Sequence, residues 1–291
     1  MKSKTTKINF QNKNNEKSYF DLIKIEDVLE NEQQEFNSFK NHTILFYSML
    51  IFTEGEGIHT INYHDYHYEE GTIFTLKKDT IHKFSPNKSK GYLLIFTENF
   101  IVSYLSEFES LKLLQVYNEM LFSPKVQLDS KTFIDIKNLV KQLNNEYFEK
   151  DDVFSPSLIR SFLHIITTIL YRIKSRGNHM VENKLYLNQF NQFQKLVNQY
   201  CFQSRKVLFY SKKMGVTPKT LSNITKNIYN KPAKSFIDDI LILQIKRLLL
   251  NSKLTIKEIA FKVGFEDSTN FFNYFKKQTN LTPKQFITKN K

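Results

Sequence analysis

A single cysteine, Cys201, excludes any disulfide within the 291 residues and fits a reducing cytoplasm. It closes an apolar-periodic segment, where a thiol packs rather than reacts. No apolar run approaches the ~20 residues of a membrane-spanning helix. The opening stretch, MKSKTTKINFQNKNN, lacks the apolar core of a secretory signal. The sequence thus predicts a soluble cytoplasmic protein with no membrane partner. Acidic residues are scarce in one place only. Residues 184–291 hold 5 Asp/Glu against 20 Lys/Arg, a net +15, whereas residues 1–183 hold 24 against 22, a net −2. The whole surplus of +13 therefore sits in the last third. A lysine-rich coding bias would enrich both portions, so the asymmetry is the electrostatic footprint of a nucleic-acid-binding module on a near-neutral body.

What is present falls into a multidomain α+β order. Residues 1–40 are polar and read as a loose arm with short ordered pieces. Residues 41–98 read as a β domain. The apolar run Ile44–Phe52, the turn Glu54–Gly57, the alternating IHTINYHDYHYEE around a turn at His64-Asp65, then TIFTL, IHKFS and YLLIF give short strands at regular spacing, the pattern of an antiparallel sandwich or barrel. Residues 99–176 read as helical: Leu111–Phe122, Asp129–Phe148, and a helix opening at Ser155-Pro156. This last helix sets Leu158, Phe162, Ile165, Ile166, Ile169, Leu170 and Ile173 at spacings of three and four. So wide a stripe either packs onto the β domain or, across Ser157–Arg176, forms a homodimer interface. Residues 177–187 read as a linker, and 188–291 as an all-α domain.

Within that domain two helix-turn-helix units are legible. In the second, Thr255 with Glu258 forms a capping-box pattern, Gly264 marks a sharp turn, and a helix from about Asp267 buries Phe271, Phe272 and Phe275. Thr282-Pro283 opens a last short helix. In the first, Val207–Met214 is followed by Gly215-Val216, with Thr217 as N-cap and Pro218 at N1 of the next helix. Ala233–Asn251 is the long helix between them. The second helix of each unit would lie in a major groove, two successive grooves being about 34 Å apart. Lys219, Ser222 and Asn223 of the first, and Ser268, Thr269, Asn270 and Asn273 of the second, are candidate base readers. Lys226, Lys276 and Lys277, near helix ends, are candidate phosphate contacts.

These residues carry a family resemblance. The tract Val207–Phe286 resembles the DNA-binding domain of the AraC/XylS family of bacterial transcription regulators. The resemblance runs through Met214-Gly215-Val216-Thr217-Pro218-Lys219 and Leu221. It continues through Ile259-Ala260, Val263-Gly264-Phe265, Phe275-Lys276-Lys277 and Thr282-Pro283-x-x-Phe286. Departures are Leu241 for a usual Arg, Ile245 for an Ala, and Asn230 and Asn280 for a Gly after each second helix. Asn is the next-best residue for a left-handed cap. The resemblance implies a sequence-specific, double-stranded DNA-binding regulator, most often an activator, with RNA polymerase as a partner. It also implies a cupin-like N-terminal β-barrel followed by dimerising helices, controlled by a small-molecule effector.

Gly71–His82 accordingly resembles the second cupin motif, with Lys77 and Asp79 replacing its Pro and Gly. The first cupin motif, two His one residue apart and then a Glu, is missing. His64 and His67 are three apart, which in a strand points them to opposite faces. No metal, cofactor or catalytic residue follows from this pattern. Tyr47, His59, Tyr63 and His82 are candidate effector contacts; a barrel filled by its own side chains is the alternative. Two other readings stay open: a cupin-type metal-dependent enzyme with an accessory basic domain, and a sequence-neutral DNA-compacting protein.

Overall fold

The structure is a computed structural model that describes residues 5–12, 19–30, 37–102, 124–150, 152–175, 184–229 and 231–290. The chain divides into two compact units: Thr6–Gly177, and Asn178–Lys291 with Met1–Thr5.

In the N-terminal unit ten strands are β1 (Thr6–Ile8), β2 (Phe20–Lys24), β3 (His42–Ile44), β4 (Tyr47–Glu54), β5 (Gly57–Ile61), β6 (His64–Tyr68), β7 (Thr72–Leu76), β8 (Ile81–Phe84), β9 (Lys90–Phe96) and β10 (Lys125–Gln127). They form two five-stranded sheets, β1-β3-β8-β5-β6 and β10-β7-β4-β9-β2. Neighbours are antiparallel except for β1 with β3. Helices α1 (Ile25–Glu30), α2 (Glu98–Val102), α3 (Ser130–Glu149) and α4 (Ser155–Ser175) accompany them.

Several expectations are corrected. The sheets face one another but do not close into a barrel among the described residues; β6 is an edge, and its exposed His64, Asp65 and His67 discourage further pairing. Residues 1–40, expected as an arm with short ordered pieces, contribute β2 to the β unit: Phe20 and Leu22 are buried there, and the strand pairs with β9 from Phe20↔Phe96 to Lys24↔Tyr92. The β domain also runs past residue 98, since β10 pairs with β7. The turn expected at His64-Asp65 falls at Asn62-Tyr63, both at positive φ, which closes a two-residue hairpin with Ile61 opposite His64. The expected helix Leu111–Phe122 lies outside the described residues.

The unbroken apolar run in β4 has a physical reason. Met49 and Ile51 pack towards α3 and α4, while Leu50 and Phe52 pack between the sheets, so both faces of the strand are buried. On the helix side lie Ile136, Val140 and Leu143 of α3 and Ile159, Leu163, Ile166 and Leu170 of α4. Asp129 caps α3 by accepting from the Thr132 amide at 2.8 Å. Packing thus takes up most of the α4 stripe, while Leu158 and Ile165 stay exposed.

The C-terminal unit comprises α5 (Lys184–Tyr200), α6 (Val207–Lys213), α7 (Pro218–Tyr229), α8 (Ala233–Asn251), α9 (Ile256–Lys262), α10 (Ser268–Thr279) and α11 (Pro283–Lys289). Helix α5 begins inside the expected linker. Helix α8 buries Ile237, Ile240, Leu241, Leu243, Ile245 and Leu249, apolar nearly all round, because it packs against α5, α6 and α7 as well as α9 and α11. No helix among the described residues is long and apolar enough to cross a membrane.

Candidate nucleic-acid interface

Each helix-turn-helix is set by local chemistry. Thr255 accepts from the Glu258 amide at 3.2 Å and Glu258 reaches back to the Thr255 amide at 2.6 Å, which completes the capping box of α9. Gly264 takes the turn at φ +84°, and Asp267 caps α10 through the Asn270 amide at 2.8 Å. Asn280 ends α10 in the left-handed conformation at φ 58°, as its substitution for Gly suggests; Asn230 lies outside the described residues. In the first unit Gly215 turns at φ +65° and Thr217 accepts from the Thr220 amide at 3.0 Å, starting α7 with Pro218 at its head.

Apolar periodicity decides the outward faces. Helix α7 buries Leu221, Ile224 and Ile228, exposing Lys219, Asn223 and Lys226 with Ser222 half-buried. Helix α10 buries Phe271 and Phe275, exposing Thr269, Asn270, Asn273, Lys276 and Lys277 with Ser268 half-buried. Each face thus carries small polar groups and ends on lysine in its last turn, Lys226 in α7 and Lys276 with Lys277 in α10, while α7 has a further lysine, Lys219, at its start. One expectation is corrected: Phe272 stands on this face, 36% exposed, because a helix that buries Phe271 and Phe275 turns the residue between them outward. The i, i+4 spacing of the aromatic residues carries that information. The expected readers also differ in availability. The Asn270 side-chain amide donates to the Asp267 carboxylate, whereas Asn273 has no such partner among the described residues.

Lys246 carries no signal in the sequence pattern. It is buried in α8 with its ammonium 5.6 Å from the Phe286 ring centre, and burial pushes its pKa down to about 8 against the opposing pull of Asp239.

In the N-terminal unit, β3, β5 and β8 bring three histidines together between the sheets. His42 lies opposite His82 with ring centres 4.1 Å apart, and His82 Nδ1 is 3.2 Å from His59 Nε2. Phe84 and Phe74 pack against His59 at 4.5 and 5.3 Å. Burial holds His59 down to about pKa 3 and His82 well below its ordinary range, His42 adding to both; burial also lowers His42 against its hydrogen bond to the Lys40 carbonyl. All three are neutral at physiological pH. His59 and His82 thus meet, joined by the unforeseen His42. Tyr47 does not: it lies on the helix side of β4, stacked on Phe96 and 3.5 Å from Glu98. Tyr63 sits in the hairpin turn. Asp79, at the glycine position of the cupin motif, adopts φ +67°, the left-handed conformation that a glycine would take most easily. No group of three or more His, Cys, Asp or Glu among the described residues is arranged to hold a metal ion.

Two capped helix-turn-helix units on one buried connector, with all the chain's surplus positive charge around them, define a double helix-turn-helix DNA-binding regulator. The comparisons agree. The model of the AraC-like ligand binding domain matches residues 27–115 and that of the helix-turn-helix domain matches residues 210–289. The chain belongs to the AraC/XylS family. The HTH-type transcriptional activator RhaR of Cronobacter sakazakii is 24% identical over 262 residues, covering 85% of this chain and 86% of its own. An uncharacterized HTH-type transcriptional regulator in the cgkA 5′ region of Pseudoalteromonas carrageenovora is 41% identical over 73 residues, 25% of this chain and 43% of its own. The match to histidine kinase P4 of Formosa agariphila, 35% identical over 80 residues, covers 28% of this chain and only 6% of that protein. A solved structure of ToxT from Vibrio cholerae covers 92% of this chain and 97% of its own at 14% identity, with a TM-score of 0.42, too loose a likeness to add to the assignment.

Proposed function

We propose that the chain is a cytoplasmic transcription activator that reads a bipartite DNA site through α7 and α10, one in each of two successive major grooves. The observation that carries this is the repeated outward face described above: exposed small polar and basic residues on each second helix, with lysine in its last turn, on one buried connector. Lys219, Ser222 and Asn223, and Ser268, Thr269 and Asn273, meet base edges. Asn270 joins them once it leaves Asp267. Lys226, Lys276 and Lys277 take phosphates. The RhaR relatives are transcriptional activators; activation by this chain proceeds by contact with RNA polymerase, without enzymatic chemistry of its own. The N-terminal unit supplies control. A small effector engages the neutral His42–His59–His82 cluster, and the exposed Leu158 and Ile165 of α4 pair two copies.

Sequences selected from a random duplex library by the purified protein provide the test. Asn273→Ala should relax base preference at one position by about 1–3 kcal/mol. Lys276→Ala should weaken all duplexes alike and reduce the slope of log affinity against log salt by about one. Unchanged selectivity in Asn273→Ala would remove α10 from its reading role.

A further inference from the structure

The two helix-turn-helix units are fastened to the connector by more than its apolar faces. Asp238 and Asp239 are consecutive on α8, and each takes a tyrosine from a different unit. The Tyr229 hydroxyl at the end of α7 donates to Asp239 at 2.8 Å, while the Tyr274 hydroxyl in α10 donates to Asp238 at 2.9 Å. Burial first, and the facing carboxylate second, raise both phenols, so each stays the donor. Lysines neutralise the carboxylates: Lys231 pairs with Asp239 at 2.9 Å and Lys234 with Asp238.

A second link runs from the loop that precedes the first unit to the second unit. In the loop between α5 and α6, the Arg205 guanidinium carbon lies 4.0 Å from the Phe265 ring centre and 5.7 Å from that of Tyr274. Phe265 sits in the turn of the second unit and Tyr274 in its reading helix, their rings 5.3 Å apart. The same loop is pinned at both ends. Its Ser204 carbonyl accepts from Tyr210 of α6 at 2.6 Å, and its Phe202 carbonyl lies so close to Gly264 that a Cβ there would approach to 2.3 Å. A planar guanidinium stacked on two rings keeps its orientation better than an ammonium would.

We infer that Arg205, with the Tyr274–Asp238 and Tyr229–Asp239 pairs, is a positioning device that locks α7 and α10 at one separation and angle, so that the protein selects the spacing between the two halves of its DNA site as well as their sequences. This inference rests on the two-groove reading proposed above. One inserted base pair moves a half-site by about 3.4 Å and turns it by about 34°, since a helical turn takes 10–10.5 base pairs over about 34–36 Å. A rigid reader loses one of its two sets of contacts; a reader with a loosened clasp re-seats both.

The test uses the full chain and the bipartite duplex it selects, with one base pair inserted or deleted between the halves. Wild type is expected to lose at least about tenfold in affinity at either altered spacing, the equivalent of about 1.4 kcal/mol. Arg205→Ala and Tyr274→Phe, the second keeping the ring and removing only its hydroxyl, should lose less than about threefold between spacings, a difference set by the freed unit re-seating. Their unfolding midpoints report that the unit is folded, and single half-site preferences should stay unchanged. A folded Tyr274→Phe and Arg205→Ala that both keep the wild-type spacing profile would overturn the clasp and leave two-groove reading intact. Wild type selecting only a single half-site, or none, would overturn the two-groove reading and the clasp with it.

Discussion

At the residue scale, the buried histidines carry a consequence for pH. His42, His59 and His82 have folded pKa values below the unfolded value near 6.5, so above that pH both states are neutral and the stability is fully present. As pH falls below about 6.5 the unfolded chain binds protons that the folded one refuses, down to about 3 for His59, and stability falls by up to about 1.4 kcal/mol per pH unit for each histidine. Thermal unfolding of the full chain should therefore show an N-terminal transition several degrees lower at pH 5 than at pH 7.5. His59→Phe, a ring among the rings of Phe74 and Phe84, should shrink that difference; an equal difference in the variant would deny the cluster its role. Much at this scale is legible in the amino-acid sequence. Thr255 and Thr217 announce their caps because capping depends on neighbours a few positions away. Arg205, Asp238 and Tyr274 are not legible, because their pairing depends on tertiary placement across 36 and 69 residues.

At the scale of elements, legibility follows how many faces an element buries. Helices with one apolar stripe, such as α7, show their outward residues in the sequence pattern. Strand β4 is buried on both faces, so its pattern hides its phase and puts Tyr47 on the wrong side. Strands β1, β2 and β10 are short pieces set in polar or helix-like surroundings, and only their long-range partners reveal them. Phe272 is misplaced when the aromatic residues of α10 are counted rather than followed by their period. The two turns make a paired prediction. Gly264 and Gly215 both sit at positive φ, but a Cβ at Gly264 would meet the Phe202 carbonyl at 2.3 Å while one at Gly215 meets nothing within 4 Å. Gly215→Ala should cost about 1 kcal/mol of backbone strain, and Gly264→Ala about 3 kcal/mol or more. Chemical denaturation of the two variants measures this, and equal losses would mean that the loop does not press on the second unit.

For the whole molecule, the order of units and the confinement of positive charge are visible in the sequence, because both are sums over long stretches that local errors do not disturb. The openness of the β unit is not visible there, since the edges of two sheets depend on which strands find partners. Leu241 and Ile245, which depart from the family pattern, are both fully buried in the connector, where they add apolar packing around the axis that carries the second helix of each helix-turn-helix. On the function proposed above, one molecule's C-terminal unit engages two successive major grooves from one side. Hydroxyl-radical and methylation-protection footprinting of the full chain on its selected duplex tests this most directly. Two protected major-groove segments on one face, centred about one helical turn apart, are expected. Protection of a single segment, or uniform protection along the duplex, would contradict it.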